Sequence, residues 1–384
     1  MKKIVSLLSI LILLIVFISP EISEAETTKR SYLISFNNDI NEKLISEHGG
    51  NIKKKYKFIS VVSANLTDKA AQALSKNPDI SHIEENAQVH AMDQEIAWGI
   101  PHINADDVNQ LGGTGSAVKI GVMDTGIDYT HEDLKVVGGE TFIEGTSDYM
   151  DDNGHGSHVA GIISALNNNI GVLGVAPEAN LYAIKVLDQN GNGNYSDVIA
   201  GIEWAILNNI DIINMSLGSS SESLSLQDAL DKAYNTGILI VASAGNNGYS
   251  KKGSITYPAK YSSVISVGAV NQNDYRAEFS SVGKELELVA PGIQINSTVP
   301  GGYAFYNGTS MAAPYVSGVA TLLMDLKPEL SNIEIRKILN QTSKPLGDSF
   351  LYGNGLVDAL TAINYVDVTK GKDSSNNIKE NKKN

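Results

Sequence analysis

Val118-Lys119-Ile120-Gly121-Val122-Met123-Asp124 is the stretch on which the fold turns. Apart from Lys119 it stays apolar or small up to a closing aspartate. LYAIKVL (181–187), DIINMSL (211–217), ILIVASAG (238–245) and VISVGAV (264–270) repeat the pattern. Strands that read as near-continuous apolar runs are buried on both faces, which is the condition of a parallel sheet. Between these runs, SDVIAGIEWAILNN (196–209) and LQDALDKAYN (226–235) carry apolar residues at helical spacing. The sequence therefore predicts an α/β unit with a mostly parallel central sheet flanked by helices.

Upstream the pattern changes. Residues 26–92 alternate strand-like runs (SYLISF, KFISVVSANL, ISHIEE) with two helical stretches (DINEKLISEH, TDKAAQALSK), a small α+β unit. Its last residues, Asn86 to Met92, have no such support and read as extended. Composition places the cut at the same point. Residues 26–92 hold nine Lys/Arg and eight Asp/Glu, with a basic patch at Lys53-Lys54-Lys55-Tyr56-Lys57, whereas residues 93–365 hold 13 against 30. At the amino terminus, Met1-Lys2-Lys3 and the apolar run that follows, ending near Pro20 and Ser23-Glu24-Ala25, have the form of a secretory signal cleaved after residue 25. Residues 366–384 are too polar to pack and read as a disordered tail. The expected organisation is a signal (1–25), a small α+β unit (26–92), an α/β domain (93–365) and a tail (366–384).

A secreted chain with a small core usually relies on disulfides. This one has no cysteine. Its stability must come from core burial, to which bound ions can add, and a cysteine nucleophile is excluded. The acidic surface of the larger unit disfavours nucleic acid and anionic membrane as partners. No membrane association is expected once the signal is removed, and the protein is expected to be a monomer.

In open α/β sheets the working residues gather at the carboxyl ends of strands. Four candidates sit at strand ends or helix starts: Asp124, His155, Asn246 and Ser310. Taken singly, each has an ordinary reading. Asp124 in Asp124-Thr125-Gly126 is a turn aspartate, or one carboxylate of an aspartic-protease dyad, but no second Asp-Thr-Gly or Asp-Ser-Gly exists to share its proton. His155 and His158 lack the His-Glu-x-x-His pattern of a zinc hydrolase, so one is expected to act chemically and the other to pack. Asn246 alone is a turn residue, and Ser310 alone a helix N-cap. Together the four supply a hydroxyl, an imidazole, a carboxylate and an oxyanion donor, which is what acyl transfer needs.

The segments carrying these residues resemble those of the subtilisin family of serine proteases, in order: Asp124-Thr125-Gly126-Ile127-Asp128, Gly154-His155-Gly156-Ser157-His158-Val159-Ala160-Gly161, Ala244-Gly245-Asn246-Asn247-Gly248, and Gly308-Thr309-Ser310-Met311-Ala312-Ala313-Pro314. Asn214-Met215-Ser216-Leu217-Gly218 extends the likeness, which covers nearly all of residues 26–365. It implies a secreted serine endopeptidase made with a signal and a pro-region. Ser310 is then the nucleophile, His155 the base, Asp124 its orienting carboxylate and Asn246 the oxyanion donor. The sequence departs from the usual family form at Thr125, at Ser219-Ser220-Ser221-Glu222-Ser223, and at Tyr315 after Pro314. None of these removes a catalytic group.

The resemblance also makes Gly191-Asn192-Gly193 an exposed edge that pairs with polypeptide substrate, with Tyr195 walling the fourth subsite. Ser216-Leu217-Gly218, Ala244-Gly245-Asn246 and Thr256 line the first. The run Asp188-Gln189-Asn190-Gly191-Asn192-Gly193 imitates an EF-hand loop, but residue 199 is isoleucine where that loop needs glutamate. Leu166-Asn167-Asn168-Asn169-Ile170-Gly171-Val172 reads alone as a surface turn. The resemblance makes it a calcium loop, ligated by Asn168, carbonyls of Leu166, Ile170 and Val172, and side chains of Gln94 and Asp133. Residues 26–92 would be an inhibitor and folding assistant, cut between Met92 and Asp93, with Met92 in the first subsite and Val89 in the fourth. Two rivals are weaker. A silent α/β binding protein would not keep all four groups, and a phosphate loop at Leu111-Gly112-Gly113-Thr114-Gly115 would precede its strand instead of following it.

Overall fold

The apolar runs pair into sheets, and each element buries the face its pattern dictates. The computed structural model describes residues 28–87 and 94–366. The expected signal, the expected junction with Val89, Met92 and Asp93, and the tail from residue 367 onward lie outside the described residues. The chain divides into two units, Met1–Ala91 and Met92–Asn384.

In the first unit, β1 (Lys29–Phe36), β2 (Asn51–Lys55), β3 (Val61–Thr67) and β4 (Ile80–Glu85) form an antiparallel sheet in the order β2-β3-β1-β4. Asn41 caps helix Glu42–Glu47 by accepting from Leu44 N, and Thr67 caps helix Asp68–Leu74 by accepting from Ala70 N. Ile34, Val62, Ala64 and Leu66 meet Leu44, Ile45 and Leu74 in a small core. Each of the Ile, Val and Leu side chains contributes about 1.5–3 kcal/mol when fully buried. The sequence reading of this unit needs one correction. The strand expected from Lys57 starts only at Val61, and the basic patch contributes a strand of its own, β2. Lysines are common on the edge strands of sheets, where they discourage pairing with other chains.

In the second unit, β5 (Lys119–Asp124), β6 (Val136–Thr141), β7 (Asn180–Lys185), β8 (Ile212–Met215), β9 (Leu239–Ser243), β10 (Ile265–Val270) and β11 (Leu288–Pro291) form one sheet in the order β11-β10-β9-β8-β5-β7-β6. Every neighbouring pair is parallel. β8, β9, β10 and β11 are buried along their whole length, as two-sided burial requires. Because β5, β8 and β9 are neighbours, their carboxyl ends bring Asp124, Ser216–Gly218 and Ala244–Asn246 to one edge of the sheet. A hairpin of β12 (Ile295–Val299) and β13 (Gly302–Tyr306) leads into helix Thr309–Leu326. That helix is apolar and buried on nearly all sides, with Ala312, Ala313, Val316 and Ala320 fully enclosed, so it runs through the core. Among the described residues no helix is long and apolar enough to cross a membrane.

Candidate active site

Asp124 ends β5 with its side chain fully buried, and one carboxylate oxygen, Oδ1, lies 2.7 Å from His155 Nδ1. The same oxygen accepts from Thr125 N at 2.8 Å. His155 opens helix His155–Ser164, and its side chain keeps 28% of its surface exposed. A Cβ at Gly156 would lie 2.0 Å from the Gly126 carbonyl oxygen. Only glycine lets this helix start close against the turn that follows Asp124. Burial works against a proton on His155, but the Asp124 carboxylate, by charge and by hydrogen bond, outweighs it with help from the charge of Asp151, and the pKa is raised above the ordinary 6.5.

Asp151, which the sequence reading did not single out, ties these two elements together. It is almost fully buried. Its Oδ1 accepts from Thr125 Oγ1 at 2.8 Å, Asn153 N at 3.0 Å and Gly154 N at 2.9 Å. Its Oδ2 accepts from Ser157 N at 2.9 Å and Ser157 Oγ at 2.6 Å. Thr125 Oγ1 in turn accepts from Gly156 N at 2.9 Å. The carboxylate satisfies N–H groups at the start of a helix that has no side-chain cap of its own. An acidic residue a few positions before a helical histidine was the available signal. His158 is wholly buried, donates from Nε2 to the carbonyls of Ile295 (3.1 Å) and Ala304 (2.9 Å), and stacks on Tyr306. Burial lowers its pKa to about 4. It packs, and takes no place in the exposed cleft.

Ser310 is the second residue of its helix, behind the extended Gly308. Pro314 lies four residues on and has no N–H to give the Ser310 carbonyl. That carbonyl accepts instead from Ser216 Oγ at 2.8 Å, and Asn214 Nδ2 donates to Ser216 Oγ at 3.0 Å. The end of β8 thus supports the start of the helix, a link invisible in sequence. Ser310 Oγ donates to the Ser216 carbonyl at 3.2 Å, and among the described residues no hydrogen bond joins it to His155. Asn246 Oδ1 accepts from Thr309 N (3.0 Å) and Thr309 Oγ1 (2.9 Å). Two donors fix the amide oxygen, so Asn246 Nδ2 is the end left open, next to Gly308.

An open cleft of about 510 Å³ runs past His155 between two walls, one of Gly191, Asn192, Gly193 and Tyr195, the other of Ser216, Leu217, Gly218 and Ser219. Tyr195 OH donates to the Ser221 carbonyl at 2.5 Å, which ties the first wall to the segment that continues from the second. Ala244, Gly245, Asn246, Thr256 and Ser310 are not part of this lining. Thr256 Oγ1 would stand 2.6 Å from a Cβ at Gly218 and 2.8 Å from one at Gly245, so its hydroxyl sits between both glycines. The two decoys have internal uses. Asp188 Oδ1 accepts from Asn190 N and Asn192 N, and Asp325 accepts from the N–H groups of Thr114, Gly115 and Ala117.

The proposed ion ligands also meet. Gln94 Nε2 donates to the carbonyls of Leu166 and Val172, the latter at 2.9 Å. Asp133 is fully buried; its Oδ2 accepts from Val172 N at 3.0 Å and Tyr303 OH at 3.3 Å, while its Oδ1 has no hydrogen-bond partner. Asn168 Oδ1 accepts from Ile170 N at 3.0 Å. Burial raises the Asp133 pKa. A buried carboxylate oxygen without a partner is what a hard divalent cation would satisfy, and oxygen donors are what such an ion takes; Gln94, however, meets the two carbonyls through its nitrogen, so it would have to turn its amide to ligate.

Comparison with known proteins agrees with this geometry. Residues 115–355 match the subtilase family, and residues 16–92 match the peptidase inhibitor I9 family. The chain is 47% identical over 354 residues to subtilisin NAT of Bacillus subtilis subsp. natto, covering 90% of this chain and 93% of that protein. It is 46% identical to M-protease of Shouchella clausii, covering 92% and 96%, and 47% identical to a thermostable alkaline protease of Halalkalibacterium halodurans, covering 87% and 92%. The chain belongs to the subtilase family: it is a subtilisin-like serine endopeptidase that carries an inhibitor-type pro-segment.

Proposed function

We propose that peptide hydrolysis runs through an acyl-enzyme on Ser310, with His155 as general base, Asp124 as its orienting carboxylate and Asn246 as oxyanion donor. Ser310 Oγ attacks the scissile carbonyl carbon while neutral His155 Nε2 takes its proton; the Nδ1 proton stays in the hydrogen bond to Asp124. Charge moves onto the carbonyl oxygen, where Asn246 Nδ2 and the Ser310 N–H at the helix start meet it. The imidazolium protonates the leaving amine as the C–N bond breaks. Water, deprotonated by the same imidazole, then releases the acid and restores the hydroxyl. The observation that carries this reading is the 2.7 Å contact between buried Asp124 and a partly exposed His155; the Asn246 amide oxygen is held by Thr309, next to Ser310 in the chain, which leaves its nitrogen as the open end. Ser310→Ala tests it: peptide hydrolysis should vanish while the fold, in which this position tolerates a small helix former, persists. Retained hydrolysis would refute it.

In the same reading, substrate backbone pairs with Gly191-Asn192-Gly193, its fourth-subsite side chain meets Tyr195, and its first-subsite side chain enters between Ser216-Leu217-Gly218 and Ala244-Gly245-Asn246, over Thr256. None of these residues is charged, so cleavage after uncharged side chains such as Met, Leu, Phe or Tyr follows. Discrimination among them is modest, since a methylene in such a pocket is worth about 1–3 kcal/mol. Residues 26–92 act as intramolecular inhibitor and folding assistant and are removed by self-cleavage between Met92 and Asp93, after secretion directed by residues 1–25. The mature enzyme is a monomer. A calcium ion held by Gln94, Asp133, Asn168 and the carbonyls of Leu166, Ile170 and Val172 supplies charge neutralisation and cross-linking, and takes no part in the reaction.

A further inference from the structure

Asn153, Asn190, Asn192, Asn247, Asn307 and Asn354 each precede a glycine. In such a pair the glycine nitrogen can bond to the asparagine side-chain carbonyl carbon, expelling ammonia and closing a succinimide. Water then opens the ring at either carbonyl, leaving aspartate or isoaspartate. Glycine's missing Cβ removes the steric bar to closure. All six asparagines are exposed, so exposure does not rank them.

The glycine amides do. Gly154 N donates to Asp151 Oδ1 at 2.9 Å, Gly191 N to Asp188 O at 2.9 Å, Gly248 N to Phe279 O at 2.7 Å, Gly308 N to Gly292 O at 2.9 Å and Gly355 N to Tyr352 O at 3.0 Å. Each of these must break its hydrogen bond before it can attack. Gly193 N has no partner among the described residues. Nor does the Asn192 side chain, whereas those of Asn153, Asn247 and Asn354 donate to the carbonyls of Gln189, Ser254 and Glu287, and that of Asn307 accepts from Gln294 N.

We propose that Asn192-Gly193 is a self-modifying site, the pair at which the folded protein deamidates first. The consequence for activity rests on the substrate-edge reading given above. Isoaspartate inserts a methylene into the backbone of that edge and shifts its register, and either product adds a carboxylate to the cleft wall. A substrate paired along the edge takes up the Gly193 N–H and slows the closure.

The experiment is peptide mapping of the secreted enzyme, blocked at its serine with a sulfonyl fluoride and aged at mildly alkaline pH. Residue 192 should convert first, leading the other five pairs by about tenfold, the factor that a hydrogen bond of about 1.4 kcal/mol imposes. Asn192→Ser should abolish the earliest acidic species. The proposal is overturned if another pair leads, or if the ranking in the folded enzyme matches that in urea. A second arm ages the enzyme with a tetrapeptide aldehyde bound. If residue 192 leads in the free enzyme but the aldehyde gives it no protection, the substrate-edge reading falls and the modification site stands.

Discussion

His158 should make the enzyme lose stability in acid, and its share can be worked out. The ring is fully buried, gives its one proton to two backbone carbonyls, and leaves Nδ1 without a partner. Burial lowers its pKa from 6.5 to about 4. Above pH 6.5 the ring is neutral in folded and unfolded chains alike. Between 6.5 and 4 the unfolded chain takes a proton that the folded one refuses, so stability falls as pH falls, and near pH 4 the loss is complete. A gap of roughly 2.5 units corresponds to about 3 kcal/mol. His158→Gln keeps an amide donor for the carbonyls and does not titrate. It should cost about 1–3 kcal/mol at neutral pH through lost stacking and hydrogen bonding, but that deficit should shrink or reverse in acid. Thermal unfolding of sulfonyl fluoride-blocked parent and variant, from pH 7 to 4 at constant calcium, reads the difference. The gap between their Tm values should narrow by about 6–12 °C. Parallel curves across this range would refute the argument.

Three further outcomes follow from the site. Asn246→Leu should lower kcat by roughly 10²–10³ with little change in KM, the loss already known for the equivalent oxyanion donor in a subtilisin; unchanged turnover in a peptide assay would contradict its role. The acid limb of kcat/KM should have its midpoint above 6.5, because only neutral His155 acts as base and Asp124 raises its pKa. Asp124→Asn should move that midpoint down and cut kcat by about 10⁴; a parent midpoint below 6.5 would speak against this pairing. Chelation should lower the Tm, since an ion at about 100 times its Kd contributes about 2.7 kcal/mol. Asp133→Asn should abolish the response to chelator, and equal melting with and without calcium in the parent would exclude the ion site.

The sequence was most legible where burial is two-sided. β5 and β7 to β10 are runs that no one-sided element could accommodate, and their ends located Asp124 and Asn246. It was least legible at edges. β6, Val136–Thr141, contains two glycines and lies at the margin of its sheet, and three of the five residues of β2 are lysine, so neither carries an apolar signature. The four residues proposed for the chemistry stand out because each sits in a local motif. Their supports do not. Asp151 joins Thr125 to the head of the His155 helix, and Ser216 satisfies the carbonyl that Pro314 abandons. Asp151 leaves a local trace, an acid a few positions before His155, but its reach to Thr125 and the link from Ser216 to the Ser310 carbonyl depend on chain crossings that no local pattern records.

The central claim is that Ser310, and no other hydroxyl, is the nucleophile. Its most direct test is titration of the secreted enzyme with a sulfonyl fluoride, following activity and mapping the adduct by mass spectrometry. One label per chain is expected, on Ser310, with activity lost in proportion to labelling and the rate of labelling rising with pH as His155 becomes neutral. A label on another residue, or full peptidase activity in fully labelled protein, would contradict it.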